Sequence, residues 1–233
     1  MKKTAPALLL LLLTLLALLQ ACTTSTTIDE YREDNNLITI NAGERVVVLG
    51  RRHAGEYETE PDFIDCIGDK LSENSRVTVL EEPLFLNSLY PWFEPRTAPL
   101  SLKRLRRVLK EPLINNKISE LGIRYMIWVD GNTETTESSG SISCAIGPGG
   151  GGCFGFATWD KTSSYEAIIW DLTDFDEEGR VRVDTKGSSY LVGVGAPLPF
   201  IARVQSQACE SIGNQLRGFF DKENTPPESG ESL

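Results

Sequence analysis

The leader and the thiols behind it constrain this chain more than any other feature. Met1-Lys2-Lys3 gives a positive start, Ala5 to Leu19 an apolar run broken only by Pro6 and Thr14, and Ala21 places a small residue before Cys22. About 15 apolar residues are too few to cross a bilayer as a helix and suit a secretory signal. In an exported chain the four later cysteines, Cys66, Cys144, Cys153 and Cys209, form an even set that reads as disulfides. Three pairings are possible, and Cys144–Cys153 with Cys66–Cys209 is favoured. The first pair brackets Gly147-Pro148-Gly149-Gly150-Gly151-Gly152, a stretch too permissive to order itself. The second would join the first and last helices of the domain, and closing so long a loop stabilises by roughly 4 to 5 kcal/mol. No C-x-x-C spacing occurs and His53 is the only histidine, so no metal site or cofactor is expected.

The ending Leu19-Gln20-Ala21-Cys22 resembles the bacterial lipobox, in which the chain is cleaved before the cysteine and the thiol acylated. The resemblance implies lipidation at Cys22 and anchoring to a membrane. Thr23 rather than Asp follows, which in Gram-negative lipoproteins implies the periplasmic face of the outer membrane. Residues 1–21 are then the signal peptide, 22–43 a polar tether, 44–220 one folded domain and 221–233 a disordered acidic tail. The full chain carries a net charge of −10, and losing Lys2 and Lys3 makes it more acidic. That balance argues against nucleic acid as a partner.

At 40% hydrophobic and 24% charged residues the chain can fill a core. Val46-Val47-Val48-Leu49-Gly50 reads as a buried strand. Pro61 and the spacing of Phe63, Ile64, Ile67 and Leu71 predict a helix over 60–72. A strand over 76–80, a short helix over 84–90, a leucine-striped helix over 102–109 broken at Pro112, a helix over 113–121 and a strand over 123–130 follow. Hairpin strands are expected near 140–146, 153–159, 164–172 and 180–186, with turns at 160–163 and 174–179. Ile201, Val204, Ala208, Ile212, Leu216 and Phe219 stripe a closing helix. The order is that of an α+β domain, a single mixed sheet with packed helices and an antiparallel second half.

Arg51, Arg52 and His53 follow the first strand, where ligand groups often gather, and Glu56 is close by. They make a candidate ligand cleft. No G-x-S-x-G elbow accompanies His53, so no catalytic residue is assigned. Asp174 to Gly179 imitates the opening of a calcium loop but has Thr185 where the bidentate Glu belongs, and reads as an acidic turn. Lys103, Arg106, Arg107 and Lys110, with Arg104, make a basic helical face in an acidic chain. Tyr90, Trp92 and Phe93 lie among prolines. These residues are the candidate partner-binding surface.

The succession of lipobox, tether, strand, helix, strand, helices, strand, hairpins and closing helix resembles the periplasmic lipoprotein fold of the curli-export lipoprotein, the lipoprotein activators of penicillin-binding proteins and the amino-terminal domain of TolB. Val46 to Leu49, Ile123 to Gly131 and Ala167-Ile168-Ile169-Trp170-Asp171-Leu172 carry the resemblance. It implies a non-enzymatic accessory or scaffold role through contacts with an envelope protein. The alternative is a periplasmic small-ligand binder or hydrolase using the cleft around His53.

Overall fold

A computed structural model describes residues 24–33, 38–51, 59–73, 75–93, 99, 102–148 and 150–220. Along them run β1 (Thr24–Arg32), β2 (Arg45–Gly50), α1 (Pro61–Ser72), β3 (Val79–Leu80), α2 (Glu82–Ser88), α3 (Leu102–Leu109) and α4 (Pro112–Glu120), followed by β4 (Ile123–Gly147), β5 (Gly150–Asp171), β6 (Glu177–Phe200) and α5 (Val204–Phe220). The strands form one mixed sheet in the order β1-β6-β5-β4-β2-β3, an α+β fold. β2 pairs in parallel with both β3 and β4, with Val46 opposite Val79 and Tyr125. Proline sits in the first turn of α1, α2 and α4, where its missing N–H is not needed and its fixed φ suits the helix.

The chain divides into two compact units rather than the single domain expected for 44–220. The larger comprises Thr26–Asn132, Ser163–Asp184 and the segment from Gln205 onward. Its central strands β2, β4 and β5 are buried on both faces in this unit, which is why β2 reads as an unbroken apolar run. Val46, Val48, Tyr125, Ile127, Val129, Ala167 and Ile169 face α1 and α5, meeting Phe63, Ile67, Leu71, Ile212, Leu216 and Phe219. Val47, Leu49, Met126, Trp128, Ile168 and Trp170 face the other way, toward Phe85, Leu105, Leu109, Ile114 and Ile118 of α2 to α4. The period-2 alternation of each strand thus separates two apolar layers. Cys66 of α1 and Cys209 of α5 are joined within the first layer, as expected.

The smaller unit holds Thr133–Thr162 and Thr185–Val204 with Thr24 and Ser25. Cys144 and Cys153 are bridged here across the β4–β5 hairpin, with Cα atoms 4.0 Å apart. β4 and β5 are antiparallel. A Cβ built on Gly140 would meet Ala157, and one on Gly155 would meet Ile142. Past the end of β6 the chain folds back over the middle of that strand. The Ala202 N–H donates to Ser189 Oγ at 3.0 Å, and a Cβ built on Gly187 would meet Ala202, Val204 and Thr24.

Several expectations change. Residues 24–32, read as part of a tether, are a sheet strand. Past its end the Glu33 N–H donates to the Glu178 carbonyl, and the Arg32 guanidinium lies 3.9 Å from the Phe219 ring centre. Backbone pairing and a cation–π contact hold a segment whose polarity suggested coil. Ile38, also in the supposed tether, is buried. The turn expected at 160–163 lies inside β5, because Thr and Ser residues pair through their backbone without an apolar alternation to announce it. Ile201 precedes α5 and is exposed, so it is not part of the helix stripe. The acidic tail from 221 lies outside the described residues.

Candidate functional site

β3 ends at Leu80 opposite Val47, while β2 runs on to Gly50 opposite Val129 of the parallel β4, and the groups just beyond that end are the first candidates. The Arg51 N–H donates to the Val129 carbonyl at 2.8 Å, and Thr59, buried beside it, returns the chain by donating its N–H to the Arg51 carbonyl at 3.1 Å. The Arg51 guanidinium donates to Asp130 Oδ2 at 2.7 Å. Both partners are about one-third exposed or more, so this pair contributes on the order of 0–1 kcal/mol. Glu82, buried, accepts the Gly50 N–H at 3.1 Å and ties the start of α2 to the end of β2. Tyr165 donates its hydroxyl to Glu60 at 2.9 Å while its ring stacks on Phe63. Arg52, His53 and Glu56 lie outside the described residues. Of the predicted ligand triad, only Arg51 is therefore placed, and its charge is directed at Asp130.

A cavity of about 510 Å³ opens next to these strand ends, and Arg51 does not line it. Val48, Ile64, Val79 and Leu80 give it apolar walls, while Asp65 and Asp69 of α1 and Glu81 and Glu82 at the start of α2 make it acidic. The sign suits a cationic or amine-bearing group and disfavours phosphates. Ser72, the one hydroxyl lining it among the described residues, donates back to the Gly68 and Asp69 carbonyls, as helical serines do. Among the described residues no cluster of three or more metal-ligating side chains occurs. No motif or periodicity announces this cavity, because its acids come from two helices separated by β3.

The basic face is real as a surface. On α3, Leu105 and Leu109 are buried, while Lys103, Arg104, Arg106, Arg107 and Lys110 are exposed. Arg106 lies over the Trp170 ring at 5.2 Å and Lys110 over Phe175 at 5.1 Å. Their stems cover apolar surface while their charged heads reach water. The aromatic part of the predicted surface is not borne out as drawn. Tyr90 is 66% exposed, but Trp92 is half-buried against the α2–α4 layer, and Phe93 is 4% exposed with its ring edge-on to Phe85 at 5.0 Å. Removing so much apolar area from water outweighs any use of Phe93 as an external anchor. Leu84 and Leu113, both over half exposed, were not anticipated and lie on α2 and α4.

In the smaller unit the disulfide hairpin presents Ile146 and Phe154 to solvent, and Phe156 stacks on Tyr190 with ring centres 6.0 Å apart. Phenol and arginine groups elsewhere are perturbed in ways that stabilise rather than react. Burial raises the Tyr125 phenol above its ordinary value while its hydroxyl donates to the Thr39 carbonyl at 3.0 Å. Asp171 is buried and paired with the Arg124 guanidinium. Among the described residues no nucleophile, base and orienting group converge.

No family model matches the chain, and no curated protein matches it. Among solved structures it is similar to a PelC dodecamer from Paraburkholderia phytofirmans in two forms. For a single-substitution variant the identity is 11%, with 84% of this chain and 98% of that chain covered and a TM-score of 0.39. For the second form the identity is 12%, with 84% and 97% covered and a TM-score of 0.38. A likeness at this TM-score bears on neither mechanism nor partner.

Proposed function

We propose that this protein is a lipid-anchored accessory or scaffold protein of the bacterial cell envelope, held through Cys22 at the periplasmic face of the outer membrane and acting by contact with another envelope protein. The observation that carries the reading is the pairing of thiols. Both disulfides expected of an exported chain join the cysteines that export implied, Cys66 with Cys209 and Cys144 with Cys153. The lipobox-like Leu19 to Cys22 supplies the anchor, and the element order that resembles small periplasmic lipoproteins supports a role in assembly. The exposed basic face of α3 supplies a docking surface for an acidic partner, since it concentrates five cations on a chain of net charge −10. Cross-linking in envelope extracts should capture a reproducible partner with the native protein. Charge reversal at Arg106 and Arg107 should reduce capture at least tenfold and make it less dependent on salt. Equal capture by both proteins would refute docking through α3. A second reading is favoured by the acidic cavity at the strand ends. It is a small-ligand binder for a cationic group, tested by calorimetric titration with polyamines and by its loss in Asp65→Asn/Asp69→Asn.

A further inference from the structure

We infer that Leu198, Phe200 and Ile201 form a patch that seats the protein on the bilayer holding its anchor; this rests on the acylation of Cys22 proposed above. β1 begins at Thr24, two residues after Cys22. Two residues span at most about 7 Å, so an acylated Cys22 holds Thr24 at the lipid surface. Within the smaller unit Thr24, Ala202 and Val204 gather around Gly187, where an added Cβ would lie within about 3 Å of all three, and Leu198, Phe200 and Ile201 shortly precede Ala202. They are 54%, 40% and 58% exposed, an apolar group left in water beside the anchor point.

Charge selects the bilayer over another copy of this acidic chain. From Thr185 to Val204 there is no acidic residue, and the segment's two charged side chains, Lys186 and Arg203, are exposed cations beside the same contact. Cations flanking an apolar patch match anionic headgroups above acyl chains. A second copy seated patch to patch would set its own Lys186 and Arg203 against these two cations, and two chains of net charge −10 repel.

The test uses the mature chain carrying Cys22→Ala, so that no acyl group contributes. With vesicles of phosphatidylethanolamine and phosphatidylglycerol it should partition measurably, and Leu198→Ser/Phe200→Ser/Ile201→Ser should lower partition about tenfold or more. Lys186→Glu/Arg203→Glu should lower it on these vesicles and not on phosphatidylethanolamine alone. Unchanged far-UV dichroism and two intact disulfides show that each variant folds. In a Phe200→Trp variant, brominated acyl chains should quench the added fluorescence. Equal partition by parent and triple variant, or no quenching at position 200, overturns the patch. So does concentration-dependent self-association without lipid that the triple variant abolishes, because the occupant is then a second copy. Mass analysis of Cys22 in the full chain tests the anchor separately, so its failure is distinguishable from failure of the patch.

Discussion

Breaking the Cys66–Cys209 bridge should remove more stability than any single surface change. The larger unit is assembled from three chain segments, and the bridge ties the first, through α1, to the last, through α5, across a separation of 143 residues. In the unfolded chain those helices would otherwise be free of one another, and closing a loop of this length is worth about 5 kcal/mol on the chain-entropy model. Cys209 is 1% exposed and sits among Ala208, Ile212 and Leu216, so truncation to Ala also forfeits packing of roughly 1 kcal/mol. Against a typical domain stability of about 5–15 kcal/mol this is a large fraction. Equilibrium urea unfolding of Cys66→Ala/Cys209→Ala, followed by tryptophan fluorescence, should show a midpoint lower by about 2 M if m is near 2–3 kcal/mol/M. Reductant should reproduce most of the shift in the parent, while in the variant it opens only Cys144–Cys153 of the smaller unit. A midpoint shift under about 0.5 M at unchanged m would mean that apolar packing alone holds α1 beside α5, and would refute the argument.

The other bridge should behave differently. Cys144→Ala/Cys153→Ala opens a loop of separation 9, worth roughly 3 kcal/mol at most on the same model, and hydrogen exchange should rise in 140–157 while the larger unit keeps its protection. Gly155→Ala should disorder the same hairpin, because φ is +138° there and the new Cβ would lie 2.2 Å from the Ser141 carbonyl oxygen; a protease cutting within 140–157 in the variant and not the parent is the readout. For Tyr125, burial raises the phenol above 10.0 in the folded state, so its contribution is full below pH 10 and is lost as pH rises through the folded value. Urea midpoints of parent and Tyr125→Phe should therefore differ by a constant amount from pH 7 to 9, about 1 kcal/mol from the lost bond to Thr39, and converge above pH 10. A constant difference through pH 11 would contradict this.

How much was legible follows from what each segment does in the fold. Val46 to Leu49 was readable because a strand covered on both sides needs apolar residues at every position, and Phe63, Ile64, Ile67 and Leu71 because one face of a helix must repeat at 3.6. Pro112 separated α3 from α4 for a steric reason that holds in any context. The thiols were readable because export leaves few alternatives to pairing. Thr133 to Ser139 was not readable. Its Thr, Glu and Ser residues are largely exposed, so no burial pattern forms, and only pairing with β5 makes it a strand. β1 hid for the same reason, although Thr-Ser-Thr-Thr-Ile with Tyr31 carries enough β-branched and aromatic character to have raised the question. Phe93 misled in the opposite direction, since prolines around an aromatic suggest a loop, and whether that loop folds onto the core is decided by Phe85 and Leu89, distant in pattern but close in space. The acidic cavity and the apolar patch at 198–201 share this dependence on three dimensions. Each becomes a candidate only once α1 is laid beside α2, or Ala202 beside Thr24. The absence of any acid from Thr185 to Val204 was in plain view in a chain this acidic, and it is the kind of signal a scan for motifs passes over, because it consists of what is missing.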